Sequence, residues 1–217
     1  MWGQRPGRCA KVSRFDRDLA TGFAACDNGP MTQAAAVTTP LTQLLAQCRD
    51  QPVVFDDVRP ELCATLEQII LDRMQNDRRR KTGSLNVGGW KSGEDFFAWP
   101  DAAVQELRQL IIEMVGARSP VAWTMVNRSG SHHPRHQHRA AILVGVYYVA
   151  AGSPDALTPT VFECPCDGRP ARGGDQYELE VEPHPGRLAI FRGETWHRVP
   201  TYPGEQPRIT VAFDVRR

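Results

Sequence analysis

The sequence predicts an α+β protein in which N-terminal helices pack on a jelly-roll-like body of short strands. Three observations carry this expectation. Apolar residues recur at helical spacing only between positions 41 and 116. From position 119 onward the pattern changes to short β-rich runs separated by Gly- and Pro-containing turns. The 217 residues include 18 glycines and 17 prolines, above the roughly 12% combined share that is usual, which favours many turns. Hydrophobic residues at 41% and charged ones at 24% are those of a folded chain and exclude global disorder. Lys and Arg total 26 against 25 acids, a net charge of +1. No overall field therefore draws nucleic acid or an anionic membrane. The longest apolar run, Ala140 to Gly152, falls short of the ~20 residues a membrane-spanning helix needs.

Residues 1–40 show neither a 3.6-residue nor a two-residue period, and only Val12, Phe15, Leu19 and Phe23 could pack. The segment reads as a disordered tail or as an over-extended start, with Met31 as the true first residue. No apolar stretch follows Arg5, Arg8, Lys11 and Arg14, so no secretory signal is expected. Residues 41–217 then read as a single domain with a helical front (41–116) and a β core (119–217). Leu41, Leu44, Leu45 and Cys48 share one helical face. Pro60 suits a first helical turn, and Leu62, Leu66, Ile69 and Ile70 recur behind it. A third helix is expected from Asp101, as a cap, along the stripe Val104, Leu107, Leu110, Ile111 and Met114 to a stop at Gly116.

Between the second and third helices lie the basic run Arg78 to Lys81 and a glycine-rich stretch from Gly83 to Gly93. The basic run reads as a solvated helix end. The glycines do not form a phosphate loop, because Trp90 rather than Gly precedes Lys91 and a helix rather than a strand precedes the loop. Strands are expected at 121–127, 142–149, 160–163, 177–182, 187–191 and 209–215. Of the six cysteines (Cys9, Cys26, Cys48, Cys63, Cys164 and Cys166), no pair has zinc-knuckle spacing. They are expected to be reduced thiols of a cytoplasmic protein.

All six histidines lie between positions 132 and 197, and the first 131 residues have none. His136 and His138 would share a face if their segment is a strand, so that both imidazoles could reach one cation. His197, after the strand 187–191, could close a facial triad. His184, between two prolines, reads as a surface residue. His132 and His133 read as lead-in residues, either of which could shape the site. The bland alternative is a solvated His-rich loop. Arg208 opens the last strand eleven residues after His197, with Thr210 on the same face. An Arg with a hydroxyl two residues on is a suitable clamp for a carboxylate.

These stretches resemble a family of 2-oxoglutarate/Fe(II) oxygenases. His136-Gln137-His138 through Val144-Gly145-Val146-Tyr147-Tyr148 is similar to its His-x-His followed by Ser-Gly-Val-Tyr-Tyr. Gly186-Arg187-Leu188-Ala189-Ile190-Phe191 and His197-Arg198-Val199-Pro200 resemble its Gly-x-Leu-x-x-Phe and His-x-Val-x-Pro. Arg208-Ile209-Thr210 resembles its closing Arg-Ile-(Ser/Thr). Segments 86–97 and 123–127 also look familiar, so the likeness spans about Leu85 to Phe213. It departs at Val144, where the family has Ser, and His138 stands where the wider superfamily has Asp or Glu.

The resemblance implies a double-stranded β-helix (jelly-roll/cupin-like) body, Fe(II) on His136, His138 and His197, and 2-oxoglutarate as co-substrate. It also implies Arg208 and Thr210 on the distal carboxylate of 2-oxoglutarate, and dioxygen oxidising a C–H bond of a small-molecule or peptide substrate with release of succinate and CO2. Asn127 and Tyr148, with Tyr147, could donate hydrogen bonds in the pocket. A carboxylate such as Glu163 or Glu194 is the alternative third ligand. Two other readings remain: a three-His cupin-type dioxygenase that needs no 2-oxoglutarate, and a non-enzymatic metal-binding β-sandwich module. Arg208 argues against the first. The residues leave a homodimer open.

Overall fold

The computed structural model describes residues 40–77, 85–116, 119–165 and 176–216. The N-terminal segment through Thr39 (Met31 included), the basic run 78–81 and the turns expected at 167–174 lie outside the described residues. Three helices, α1 (Pro40–Gln47), α2 (Cys63–Asn76) and α3 (Ala102–Val115), precede most of the strands. Two short strands sit among them, β1 (Val53–Phe55) and β2 (Trp90–Lys91). Eight strands follow: β3 (Val121–Asn127), β4 (His133–His136), β5 (Ala141–Ala151), β6 (Thr160–Pro165), β7 (Gln176–Val181), β8 (Leu188–Arg192), β9 (His197–Val199) and β10 (Arg208–Arg216). They form a six-stranded sheet in the order β1-β8-β5-β10-β3-β2 and a four-stranded sheet in the order β4-β9-β6-β7. The ladders are antiparallel. The expected class, helices in front of a two-sheet body, is the observed one.

The larger sheet is apolar on both faces, which explains why β5 reads as a continuous apolar run rather than an alternating one. Leu143, Tyr147 and Val149 of β5 join Leu188 and Ile190 of β8 and Ile209, Val211 and Phe213 of β10 under the helices. The helices meet them with Leu44, Leu66, Ile70, Val104, Leu107 and Ile111. On the other face Val144, Val146, Tyr148, Phe191 and Ala212 meet Phe162, Cys164 and Val181 of the smaller sheet. Each large side chain so buried contributes about 1.5–3 kcal/mol. Period-two alternation therefore sorts β10 cleanly: Ile209, Val211 and Phe213 go to the helices, and Arg208, Thr210, Ala212 and Asp214 go to the space between the sheets.

Gly145 is required by packing. A Cβ there would collide with the Phe213 ring on the neighbouring strand, where the two residues are register partners. Gly145→Ala is expected to cost about 1–3 kcal/mol. In urea this would appear as a lower unfolding midpoint at unchanged slope.

Two local expectations need correction. Asp101 does occupy the cap position of α3, but its side chain makes no capping bond; it accepts from Arg73 Nη2 at 3.4 Å. The first helical turn of the second helix is a separate 3-10 turn, Pro60–Leu62, entered through Arg59 in the left-handed region at φ 50°. Gly116 ends α3 as expected, at φ 63°.

Candidate metal centre and its cavity

His136 is the last residue of β4, and His197, the first of β9, is its direct partner across the ladder. That pairing sets their ring centroids 4.2 Å apart. His138 is reached differently from the expectation of a single strand face. The strand ends at His136, and Gln137 and His138 lie in the following turn. There the His138 N–H donates to the Gly193 carbonyl at 2.8 Å. The turn still delivers the His138 ring to within 5.2 Å of both other rings. The ligand-capable atoms of His136, His138 and His197 all lie within 4.8 Å of one another.

The hydrogen bonds of the three rings decide which nitrogen each can offer. His136 Nδ1 meets the Pro134 carbonyl at 2.8 Å, His197 Nδ1 the Thr195 carbonyl at 3.0 Å, and His138 Nδ1 a carboxylate oxygen of Asp214 at 2.7 Å. Each partner is an acceptor, so each Nδ1 carries hydrogen, and Nε2 is the atom that a neutral ring would offer to a cation. Burial, and then neighbouring imidazoles, hold His197 well below the usual histidine range; burial likewise lowers His136. Neutral rings with a free Nε2 are what a cation requires of imidazole. Phe162 and Phe191 wall His197, and the Trp123 ring stacks on His138 at 5.7 Å.

The three rings line a cavity of about 370 Å³ between the sheets. Along one wall β10 presents Arg208, Thr210, Ala212 and Asp214, roughly 6–7 Å apart per pair of residues. The histidine centre thus lies toward one end of β10 and Arg208 lies at the other. Arg208 is 2% exposed. Its Nε donates to the Thr158 carbonyl and its Nη2 to Thr160 Oγ1, both at 3.2 Å, and its guanidinium stands over the Tyr148 ring at 5.4 Å. Among the described residues no carboxylate pairs with it. A buried cation without a counter-ion is costly unless an anion arrives to join it.

Tyr148 and Asn127 stand behind the cavity wall rather than in it. The Tyr148 hydroxyl donates to Thr160 Oγ1 at 2.7 Å, and so acts on Arg208 through that threonine. Asn127 Nδ2 donates to Asn86 Oδ1 at 3.1 Å. Tyr147 faces the helices, where its hydroxyl donates to the Arg59 carbonyl at 3.0 Å. Glu163 lies outside the histidine cluster and is held by Arg135 through two short bonds, and Glu194 pairs with Arg192. His184 is exposed.

Asp214 and Asn86 carry no clear signal in the sequence, whereas His133, which reads as a lead-in residue able to shape the site, does line the cavity. Asp214 shares its strand face with Arg208 and Thr210, and that parity was the only clue to it. Asn86 and His133 form a buried pair at 2.8 Å on the cavity wall, 47 residues apart in sequence. Burial, and then Arg208, lower His133 from 6.5 to about 3. The unfolded chain takes up this proton below pH 6.5, whereas the folded one does not until about 3. Stability from this group is therefore complete above pH 6.5 and is lost as pH falls toward 3, by about 2 kcal/mol at pH 5. Urea unfolding of metal-free protein at pH 7.5 and pH 5 checks this, and His133→Gln should flatten the difference.

Residues 121–214 match the model of a family described as "Putative 2OG-Fe(II) oxygenase". No curated protein matches the sequence. Among solved structures, a prolyl-4-hydroxylase from Pseudomonas putida superposes with a TM-score of 0.60 at 18% identity, covering 80% of this chain and 98% of its own. The α-ketoglutarate-dependent epimerase SnoN of nogalamycin biosynthesis gives 0.61 at 12%, covering 80% and 81%. A prolyl hydroxylase from Trichoplax adhaerens, in complex with a hypoxia inducible factor peptide fragment, gives 0.62 at 11%, covering 80% and 87%. At these identities the structures establish the shared two-sheet fold. The match over 121–214 takes in the three clustered histidines and Arg208, so the stretch that carries the candidate site is similar to the 2-oxoglutarate/Fe(II) oxygenases.

Proposed function

We propose that the protein oxidises, by hydroxylation, a C–H bond of a small-molecule or peptide substrate, using 2-oxoglutarate and dioxygen and releasing succinate and CO2. His136, His138 and His197 would hold Fe(II) through Nε2, and Arg208 with Thr210 would hold the distal carboxylate of 2-oxoglutarate. One observation carries this reading: a single cavity contains three clustered imidazoles and, at its other end, a buried arginine that no carboxylate pairs with among the described residues. Imidazole suits several metals, and the arginine is what distinguishes a co-substrate-dependent enzyme from a bare metal module.

Bound iron would supply the activation of dioxygen that a protein side chain cannot. The chain's own residues do the rest. The carbonyls of Pro134 and Thr195 and the Asp214 carboxylate fix three ring planes before any metal arrives. Arg208, preset by Thr158 and Thr160, orients the distal carboxylate, so that the other end of the co-substrate is directed along β10 toward the histidines. The apolar walls Val144, Val146 and Ala212 limit water there.

Overall, R–H, 2-oxoglutarate and O2 become R–OH, succinate and CO2, with one oxygen atom entering each of the alcohol and the succinate. Fe(II)-loaded protein given 2-oxoglutarate under ¹⁸O2 is expected to form succinate carrying one labelled oxygen, even at the slow rate of substrate-free turnover. Fe(II)-loaded protein that consumes no 2-oxoglutarate while retaining bound iron would instead favour direct binding of a substrate to the metal.

A further inference from the structure

We infer that Asp214 is the positioning residue of the histidine centre, supplying through the His138 ring the negative charge that three imidazoles do not provide. The inference rests on the reading that His136, His138 and His197 hold the metal. Its starting point is an asymmetry among the three rings. His136 and His197 are each tied at Nδ1 to a neutral carbonyl two residues upstream in their own segment. His138 alone is tied to a carboxylate, 76 residues away on β10, and at 2.7 Å this is the shortest of the three bonds.

His138 also needs such a tie most. His136 and His197 are fixed by the β4–β9 ladder, whereas His138 lies beyond the end of β4. Its ring is held on one face by Trp123, nearly parallel at 13°, and at its edge by Asp214. Both members of the pair are largely buried, with side chains 13% and 9% exposed, so the interaction is poorly screened. The second Asp214 oxygen faces Arg216 at 3.9 Å, a cation that Glu94 already holds at 2.9 Å. The carboxylate is thus directed mainly at the imidazole.

The consequence is electrostatic. Three neutral ligands leave a divalent cation with its full charge, and the two nearby glutamates are committed to Arg135 and Arg192. A carboxylate accepting from Nδ1–H makes the opposite nitrogen a stronger donor and fixes its direction. Asp214 would therefore both aim His138 and compensate charge, without touching the metal.

The test uses the full chain, Co(II) as probe metal and Fe(II) for redox measurement, with wild type, Asp214→Asn and Asp214→Ala. Asn keeps an acceptor oxygen and the volume of Asp but lacks its charge. Asp214→Ala is expected to weaken Co(II) binding about 10–100-fold. Asp214→Asn is expected to keep the Co(II) ligand-field spectrum of wild type, which reports geometry, and to raise the Fe(III)/Fe(II) midpoint potential, which reports charge. A wild-type protein that binds Co(II), beside an Asp214→Asn variant of unchanged affinity and potential, would overturn this inference alone. A folded wild-type protein that takes no Co(II) would overturn the three-histidine reading, and this inference with it.

Discussion

Arg208→Met is expected to abolish useful 2-oxoglutarate binding while making the ligand-free protein more stable. The two effects share one cause. Arg208 is a buried cation held by a carbonyl, a hydroxyl and an aromatic face, with no carboxylate beside it among the described residues. Burial already lowers its affinity for the proton. Replacing a buried charge by an apolar side chain of similar volume removes a desolvation cost. Losing the buried partner of a carboxylate costs about 2–5 kcal/mol of binding, or between roughly 30-fold and several thousand-fold in affinity. Arg208→Lys should recover little, because an ammonium cannot reproduce the guanidinium fork. Isothermal titration with 2-oxoglutarate on the metal-loaded protein, beside a urea midpoint on the metal-free one, reads both effects. A metal affinity that stays at the wild-type value would place the defect at the far end of the cavity from the histidines.

His197→Gln should produce the complementary failure. His197 is 5% exposed, packs against Phe162 and Phe191, and carries one of the three clustered ring nitrogens. Glutamine roughly retains the volume, which limits the packing loss, but an amide is a poor substitute for imidazole nitrogen. Fe(II) affinity is expected to fall by more than the 10–100-fold typical of outer-sphere changes, and 2-oxoglutarate turnover should vanish with it. The metal-free variant should also resist acid better than wild type, because it lacks a neutral buried imidazole that protonates only on unfolding. Metal content by mass spectrometry, with unfolding at pH 5, would check the pair of effects.

The fold was legible wherever periodicity was strong. β3 and β10 emerge almost at their sequence limits because their alternation reports two buried faces, and α3 ends where Gly116 allows a left-handed turn. What was hidden was short or shaped by tertiary contact. β1 and β9 are three residues each, too short for any period, and β2 has two. β9 exists largely because His197 pairs with both His136 and Phe162 in the smaller sheet. The three histidines and Arg208 could be read as candidates because residue type, clustering and strand parity all pointed the same way. Asp214 could not, since an acid near the end of a strand has no local mark. Only the fold, by bringing the turn after β4 against the far end of β10, makes it a partner of His138. Tyr148 reads as a candidate, and its hydroxyl meets Thr160 behind the cavity wall, a contact that no sequence spacing reveals.

One cavity is proposed to hold both a three-histidine iron site and, along β10, an arginine that receives the distal carboxylate of 2-oxoglutarate. Anaerobic titration of Fe(II)-loaded protein with 2-oxoglutarate tests it most directly, because a keto acid chelating the iron gives a metal-to-ligand charge-transfer band in the visible. The band is expected in wild type, should require far more 2-oxoglutarate in Arg208→Met, and should be lost in His197→Gln. Bound Fe(II) with no band at any 2-oxoglutarate concentration would contradict that proposal.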